Sequence, residues 1–180
     1  MQSIREIYKI GRGPSSSHTM GPERAAMRFQ KEHPEAARFV VRLYGSLAKT
    51  GKGHGTDRVL MATLAPVRTE IEWIPEPDFP LEHPNTLDLL AFQGEAQTGF
   101  LRALSVGGGD VRYPGEAEAE KREIYPQNSF HEIAEICKSH NLRLSDYVEA
   151  QEGKEIWAFL EDVWRAMNAA VDEGLSRRGI

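Results

Sequence analysis

Cysteine is almost absent from this 180-residue chain, in which Cys137 is the only one. That excludes a disulfide framework within the chain, and these residues alone cannot complete a thiolate-ligated metal cluster. Long apolar runs are missing too. No stretch of about 18 apolar residues occurs, so no transmembrane span is expected. The opening Met1-Gln2-Ser3-Ile4-Arg5-Glu6 lacks the apolar core of a secretory signal, which leaves the cytoplasm as the default location. Positive charge is likewise in deficit, since 22 Lys and Arg against 27 Asp and Glu leave a formal net charge of −5. Nucleic acids and acidic membranes are held by basic faces that release counterions, and this balance argues against both partners. Neither an internal repeat nor a low-complexity tract is evident. What remains, 40% hydrophobic and 27% charged, is an ordinary globular composition in a chain long enough to close a core.

Proline and glycine punctuate the elements. Residues 4–10 read as a short helical or extended lead-in. Gly21-Pro22 opens a helix over residues 23–33, with Ala25, Ala26 and Phe29 on one side and Pro34 as its end. The β-rich residues 38–44 lead directly into a glycine-rich loop, residues 45–57, and a helix over 57–65 follows, capped by Thr56 or Asp57 and stopped by Pro66. A strand at 67–73 precedes a connection holding Pro75, Pro77, Pro80 and Pro84. Residues 86–92 and 99–106 then form a hairpin around the polar stretch 93–97, and Gly107-Gly108-Gly109 breaks the second strand. Residues 115–123, charged and poor in bulky side chains, read as a mobile loop. Ser129 with Glu132 makes a capping box, followed by Phe130, Ile133, Ala134 and Cys137 at helical spacing. Ser145 is expected to cap another short turn. Residues 155–172 place Ile156, Leu160, Val163, Trp164 and Met167 on one stripe, with Gly174 as the stop. Helices interleaved with crossover and hairpin strands predict an α/β (α+β) fold, a mixed sheet with helices packed on it.

Two hydroxyl-rich, glycine-punctuated segments stand out, each carrying a histidine and each running toward a helix: Gly13-Pro14-Ser15-Ser16-Ser17-His18-Thr19-Met20-Gly21-Pro22 and Gly45-Ser46-Leu47-Ala48-Lys49-Thr50-Gly51-Lys52-Gly53-His54-Gly55-Thr56-Asp57. A helix N-terminus presents unpaired N–H groups, which suit a small anion such as a carboxylate. Lys52 adds a cation, and His18 and His54 add imidazoles able to exchange protons near neutral pH. Taken as turn residues, the same side chains would only satisfy their own backbone and cap helices. The pattern of a phosphate-binding P-loop is not met, because five residues, not four, separate Gly45 from Gly51-Lys52, and Gly53 stands where Ser or Thr is required. His131-Glu132-Ile133-Ala134-Glu135 ends in glutamate where a zinc-protease helix needs a second histidine. His33 and His140 suit helix C-termini, and Cys137 suits a buried apolar stripe.

On these stretches the sequence closely resembles the β domain of the iron–sulfur-dependent L-serine dehydratases of the single-chain type. The matching strings are Lys9-Ile10-Gly11, the Pro14 to Thr19 and Thr50 to Asp57 segments, Tyr44-Gly45-Ser46-Leu47, His83-Pro84-Asn85, Ser105-Val106-Gly107-Gly108-Gly109 and Ser129-Phe130-His131-Glu132-Ile133. The resemblance implies residues 1–150 as the β domain and 151–180 as a helix leading toward an α domain, within a fold like the allosteric substrate-binding domain. It also implies a [4Fe-4S] cluster carried by cysteines of that α domain, acting on L-serine in a β-elimination that yields pyruvate and ammonia. With one thiol, this chain is expected to be one domain, a fragment or a separate subunit, inactive alone and completed by a cysteine-bearing α domain or subunit; a homo-oligomer is also expected. Given that resemblance, His18 and His54 are expected at the interface with the α domain, His54 in proton transfer and His18 orienting substrate or sharing that role, while Ser15, Ser16, Ser17 and Thr19 are expected to grip the carboxylate with help from Lys52. No residue of this chain is expected to ligate a metal. An alternative comes from the similar domain attached to some phosphoglycerate dehydrogenases, in which both loops would form a regulatory pocket sensing serine or a small anion.

Overall fold

The computed structural model describes residues 1–117 and 123–178. It divides into two compact units, Gly11–Glu118 and Met1–Ile10 with Ala119–Ile180.

The first unit is built on a five-stranded sheet. A π-helical turn, Ser16–Met20, continues into helix α1 (Gly21–Glu32), followed by strand β1 (Arg38–Tyr44), helices α2 (Gly45–His54) and α3 (Thr56–Leu64), and strand β2 (Arg68–Ile74). Strands β3 (Thr86–Gln93), β4 (Ala96–Gly107) and β5 (Asp110–Arg112) complete the order β2-β1-β3-β4-β5. The α2–α3 crossover makes β1 parallel to β2, with Tyr44 opposite Ile74, whereas β3, β4 and β5 join as antiparallel neighbours. The expected mixed sheet with packed helices is therefore present.

Alternation along the strands sends one set of side chains to the helices. Phe39, Val41 and Leu43 of β1 and Leu87, Leu89 and Ala91 of β3 meet Ala25, Ala26 and Phe29 of α1, Leu47 of α2, and Leu60 and Leu64 of α3 in one buried cluster. On the opposite face arginine side chains lie against the strands, with Phe79 packed on Tyr44 at a centroid distance of 5.4 Å. Arg102 forks onto buried Asp88 through two 2.7 Å contacts, Tyr44 donates its hydroxyl to the same carboxylate at 3.0 Å, and Arg38 lies 4.2 Å from the Phe92 ring centroid.

The segment at 45–54 departs from the expected loop, because it is helical from its first residue. Interior Gly51 and Gly53 each cost such a helix about 1 kcal/mol relative to alanine. Tertiary packing offsets this: Leu47 is fully buried, and Gly51 lies where a Cβ would come within 3.0 Å of Trp73 and 3.1 Å of Thr56. Its flanking glycines set the geometry. Gly45 turns the chain out of β1 at φ +51° and Gly55 turns it into α3 at φ +72°, both in the left-handed region open to glycine. Gly55 thus occupies the cap position expected of Thr56 or Asp57.

The second unit holds helices α4 (Phe130–Ser139), α5 (Leu144–Glu152) and α6 (Ile156–Ser176) with a short 3₁₀ turn at Ile4–Glu6. Ser129 caps α4 by accepting from the Glu132 N–H at 3.3 Å, and the Glu132 carboxylate reaches back to the Asn128 N–H at 2.9 Å. Ser145 lies inside α5 instead of capping it, the cap being Arg143, whose N–H donates to Asp146 at 3.0 Å. Tyr125, Ile133 and Tyr147 form a small core, and Glu152 ties the N-terminal residues to it by accepting from the Ser3 hydroxyl and the Ile4 N–H at 2.7 and 2.8 Å. Gly174 does not stop α6, which runs through it to Ser176. The apolar stripe of α6 buries Ile156, yet Trp164 is 64% and Leu175 81% exposed. Of the expected loop at 115–123, residues 118–122 lie outside the described residues. Among the described residues no helix is long and apolar enough to cross a membrane.

Leu60 sits with no exposure at the junction of α3 and the sheet. Leu60→Ala is expected to lower unfolding free energy by about 2–5 kcal/mol in urea titration; a loss below about 1 kcal/mol would contradict this core assignment.

Candidate functional site

His18 is held between two helical segments. The first starts at Ser15, whose carbonyl accepts from the N–H groups of His18 and Thr19 at 3.2 and 2.8 Å. The helical run therefore begins at Ser16, five residues before Gly21, and its leading N–H groups are those of Ser16 and Ser17. Fully buried Thr19 places its hydroxyl between the carbonyls of Ser15, at 2.5 Å, and Arg12. It fastens the turn to the chain before it. Gly21 then packs where any Cβ would fall on the Ser105 side chain, which sets α1 tight against β4.

The second segment is α2, and its helical state is what assembles the site. Ser46, Thr50 and His54 recur every four residues and so form one row along the helix. His18 Nε2 lies 2.9 Å from Thr50 Oγ1 and 3.4 Å from Ser46 Oγ, while Nδ1 lies 3.1 Å from Ser17 Oγ and 3.4 Å from Ser15 Oγ. Thr56, opening α3, donates its hydroxyl to the His18 carbonyl at 2.7 Å. His54 hydrogen-bonds through Nδ1 to the Thr50 carbonyl at 2.9 Å, and its ring centroid lies 4.5 Å from that of His18, tilted by 32°. Histidines from the two polar segments, 36 positions apart in the chain, are thus in direct ring contact.

Exposure separates their properties. His18 is 8% exposed, and its pKa lies below the ordinary value, first through burial and then through repulsion from His54, with a hydrogen bond involving Ser46 partly opposing. A neutral imidazole is the form such a cage of hydroxyls favours. His54 is half-buried and lines a cleft of about 490 Å³. The other walls come from Arg12, Gly13 and Pro14 on one side and Arg58 and Val59 of α3 on the other.

The remaining sequence-derived candidates fall differently. Hydroxyls of Ser15 and Ser17 face the His18 ring rather than the cleft, and Ser16 shares their turn. Lys52 places its ammonium 5.4 Å from the Trp73 ring centroid and does not line the cleft. The cations that do line it, Arg12 and Arg58, were not among the candidates, since an exposed arginine carries no sequence signal of its own. Arg12 pairs with Glu23 at 3.4 Å. His83-Pro84-Asn85 also approaches, as the Pro84 carbonyl accepts from the Ser46 N–H at 2.8 Å and that of Asn85 from the Ser105 N–H at 2.9 Å.

Residues 3–77 match the family described as serine dehydratase beta chain. Across its full length the chain is 30% identical to L-serine dehydratase 1 and 29% identical to L-serine dehydratase 2 of Escherichia coli (strain K12), covering 50% of each. A shorter stretch, 34% of the chain, is 46% identical to the L-serine dehydratase of Mycobacterium bovis, over 15% of that protein. The chain spans about half the length of the first two relatives. Residues 3–77 are thus similar to the serine dehydratase beta chain, as the motifs implied.

The depressed pKa of His18 makes a stability prediction. The unfolded chain, with His18 near its ordinary value of 6.5, binds more protons there than the folded one, so the native state loses stability as pH falls from about 6.5 through the lowered value. His18→Gln keeps hydrogen-bonding capacity without titrating. Melting temperatures measured from pH 8 down to pH 5 are expected to fall less steeply for this variant than for the parent, and parallel curves would contradict the assignment.

Proposed function

We propose that this chain is the β domain of an enzyme converting L-serine to pyruvate and ammonia, in which the cleft beside His54 receives the amino acid and His54 moves its Cα proton. The observation carrying this reading is the contact between His18 and His54 on a cleft flanked by two guanidinium groups. Arg58 and Arg12 suit the substrate carboxylate, because a guanidinium fork matches its two oxygens. Ser16 and Ser17 add the leading N–H groups of the helical run, the hydroxyls of Ser15 and Ser17 hold the His18 ring, Lys52 adds positive potential from its place over Trp73, and Thr19 keeps the turn closed. His18, buried and neutral, holds its neighbour in place.

In the β-elimination, His54 takes the Cα proton as the Cβ–oxygen bond breaks, and that proton then passes to the departing hydroxide, which leaves as water. Aminoacrylate remains, and its hydrolysis gives pyruvate and ammonia. Positioning the substrate against the base and moving one proton are tasks side chains perform well. A [4Fe-4S] cluster, implied by the resemblance, does not fit the residues of this chain. Cys137 is its one thiol and packs beside the Tyr125–Ile133–Tyr147 core, and no group of three or more His, Cys, Asp or Glu suited to a metal ion occurs among the described residues. Ligands for such a cluster belong to a cysteine-bearing partner domain or subunit, without which the chain is inactive on L-serine.

In the complete enzyme, His54→Ala is expected to lower kcat about 100-fold or more. Arg58→Ala is expected to raise KM for L-serine about tenfold with a smaller change in kcat. Normal turnover by the His54 variant, or pyruvate formation from L-serine by the isolated chain, would contradict the proposal.

A further inference from the structure

We propose that Thr50 is a positioning residue that fixes the proton pattern of both imidazoles, its hydroxyl setting His18 and its carbonyl setting His54. This deepens the proposed function and rests on it for its catalytic consequence. The proton pattern itself follows from hydrogen-bond chemistry. Thr50 Oγ1 lies 2.9 Å from the Ser46 carbonyl, one turn back along α2, and a carbonyl only accepts, so the hydroxyl proton points there. Oγ1 must then accept from His18 Nε2, 2.9 Å away, which makes Nε2 the protonated nitrogen of that neutral ring. Nδ1 of His18 is left to accept from the Ser17 hydroxyl at 3.1 Å.

The same reasoning fixes the second ring. The Thr50 carbonyl lies 2.9 Å from His54 Nδ1 and can only accept, so Nδ1 carries the proton. Nε2 of neutral His54 therefore holds a lone pair, on a ring that lines the cleft. A base in this tautomer accepts a proton at Nε2 directly, whereas the opposite tautomer would present an N–H to the substrate. The i, i+4 spacings from Ser46 to Thr50 and from Thr50 to His54 allow one residue to hold both rings.

The test is a long-range ¹H–¹⁵N correlation spectrum of the histidine rings in the uniformly labelled chain at about pH 8, where unperturbed imidazoles are neutral. His18→Gln and His54→Gln spectra assign the signals. His18 is expected as the Nε2–H tautomer and His54 as the Nδ1–H tautomer. Thr50→Val, which removes the hydroxyl and keeps the carbonyl, is expected to convert His18 to a tautomer mixture and leave His54 unchanged, and Thr50→Ser to preserve both patterns. His18 protonated at Nδ1, or His54 at Nε2, in the unsubstituted chain would overturn the assignment without recourse to any variant. In the complete enzyme, Thr50→Val, which loosens the His18 ring that packs against His54, is expected to lower kcat about 10- to 100-fold with little change in KM, and Thr50→Ser to restore most of it. Unchanged turnover despite the spectral change would overturn the positioning role while the tautomers stand. Equal loss of activity in both Thr50 variants, with tautomers intact, would overturn it as well.

Discussion

An imidazole buried as deeply as His18 needs partners for both ring nitrogens, and that need organises the site. Leaving one buried nitrogen without a partner costs about 1–3 kcal/mol, comparable to a core truncation. Ser17, from the turn that carries the histidine, serves Nδ1, and Thr50, from α2, serves Nε2. The ring can be satisfied only when α2 is helical and docked against that turn. Thr56 adds a third tie by reaching the His18 carbonyl from α3. Ser15, Ser17, Ser46 and Thr50 serve this requirement, and docking α2 in this way brings His54 onto the neighbouring ring.

Much of the fold was legible because its signals are local. A β-rich run marked β1, the polar glycine-bearing stretch 93–97 marked the β3–β4 hairpin, Pro34 and Pro66 ended their helices, and Ser129 with Glu132 announced α4. The reading failed where packing overrides propensity. Gly51, Lys52 and Gly53 resemble a loop, yet Gly51 is small so that Trp73 and Thr56 can approach, and the burial of Leu47 holds the helix. Gly174 failed in the opposite sense, since one glycine in a long exposed helix costs too little to end it.

The site was half visible. Both histidines and the serines beside His18 declared themselves by composition. The four-residue spacing of Ser46, Thr50 and His54 was present in the sequence, but it has meaning only on a helix and was lost under a loop reading. Arg12 and Arg58 gave no signal at all, because guanidinium groups are common on surfaces and only a cleft distinguishes these two. Lys52, the obvious cation by sequence, spends its charge on Trp73.

A double-mutant cycle between His18 and His54 measures most directly whether the two rings form one unit. Unfolding free energies of His18→Gln, His54→Gln and the double variant are expected to be non-additive, with a coupling of at least about 0.5 kcal/mol, as for residues in contact within a shared hydrogen-bond network. Additivity to within about 0.3 kcal/mol would mean that the rings are energetically independent, contradicting the account.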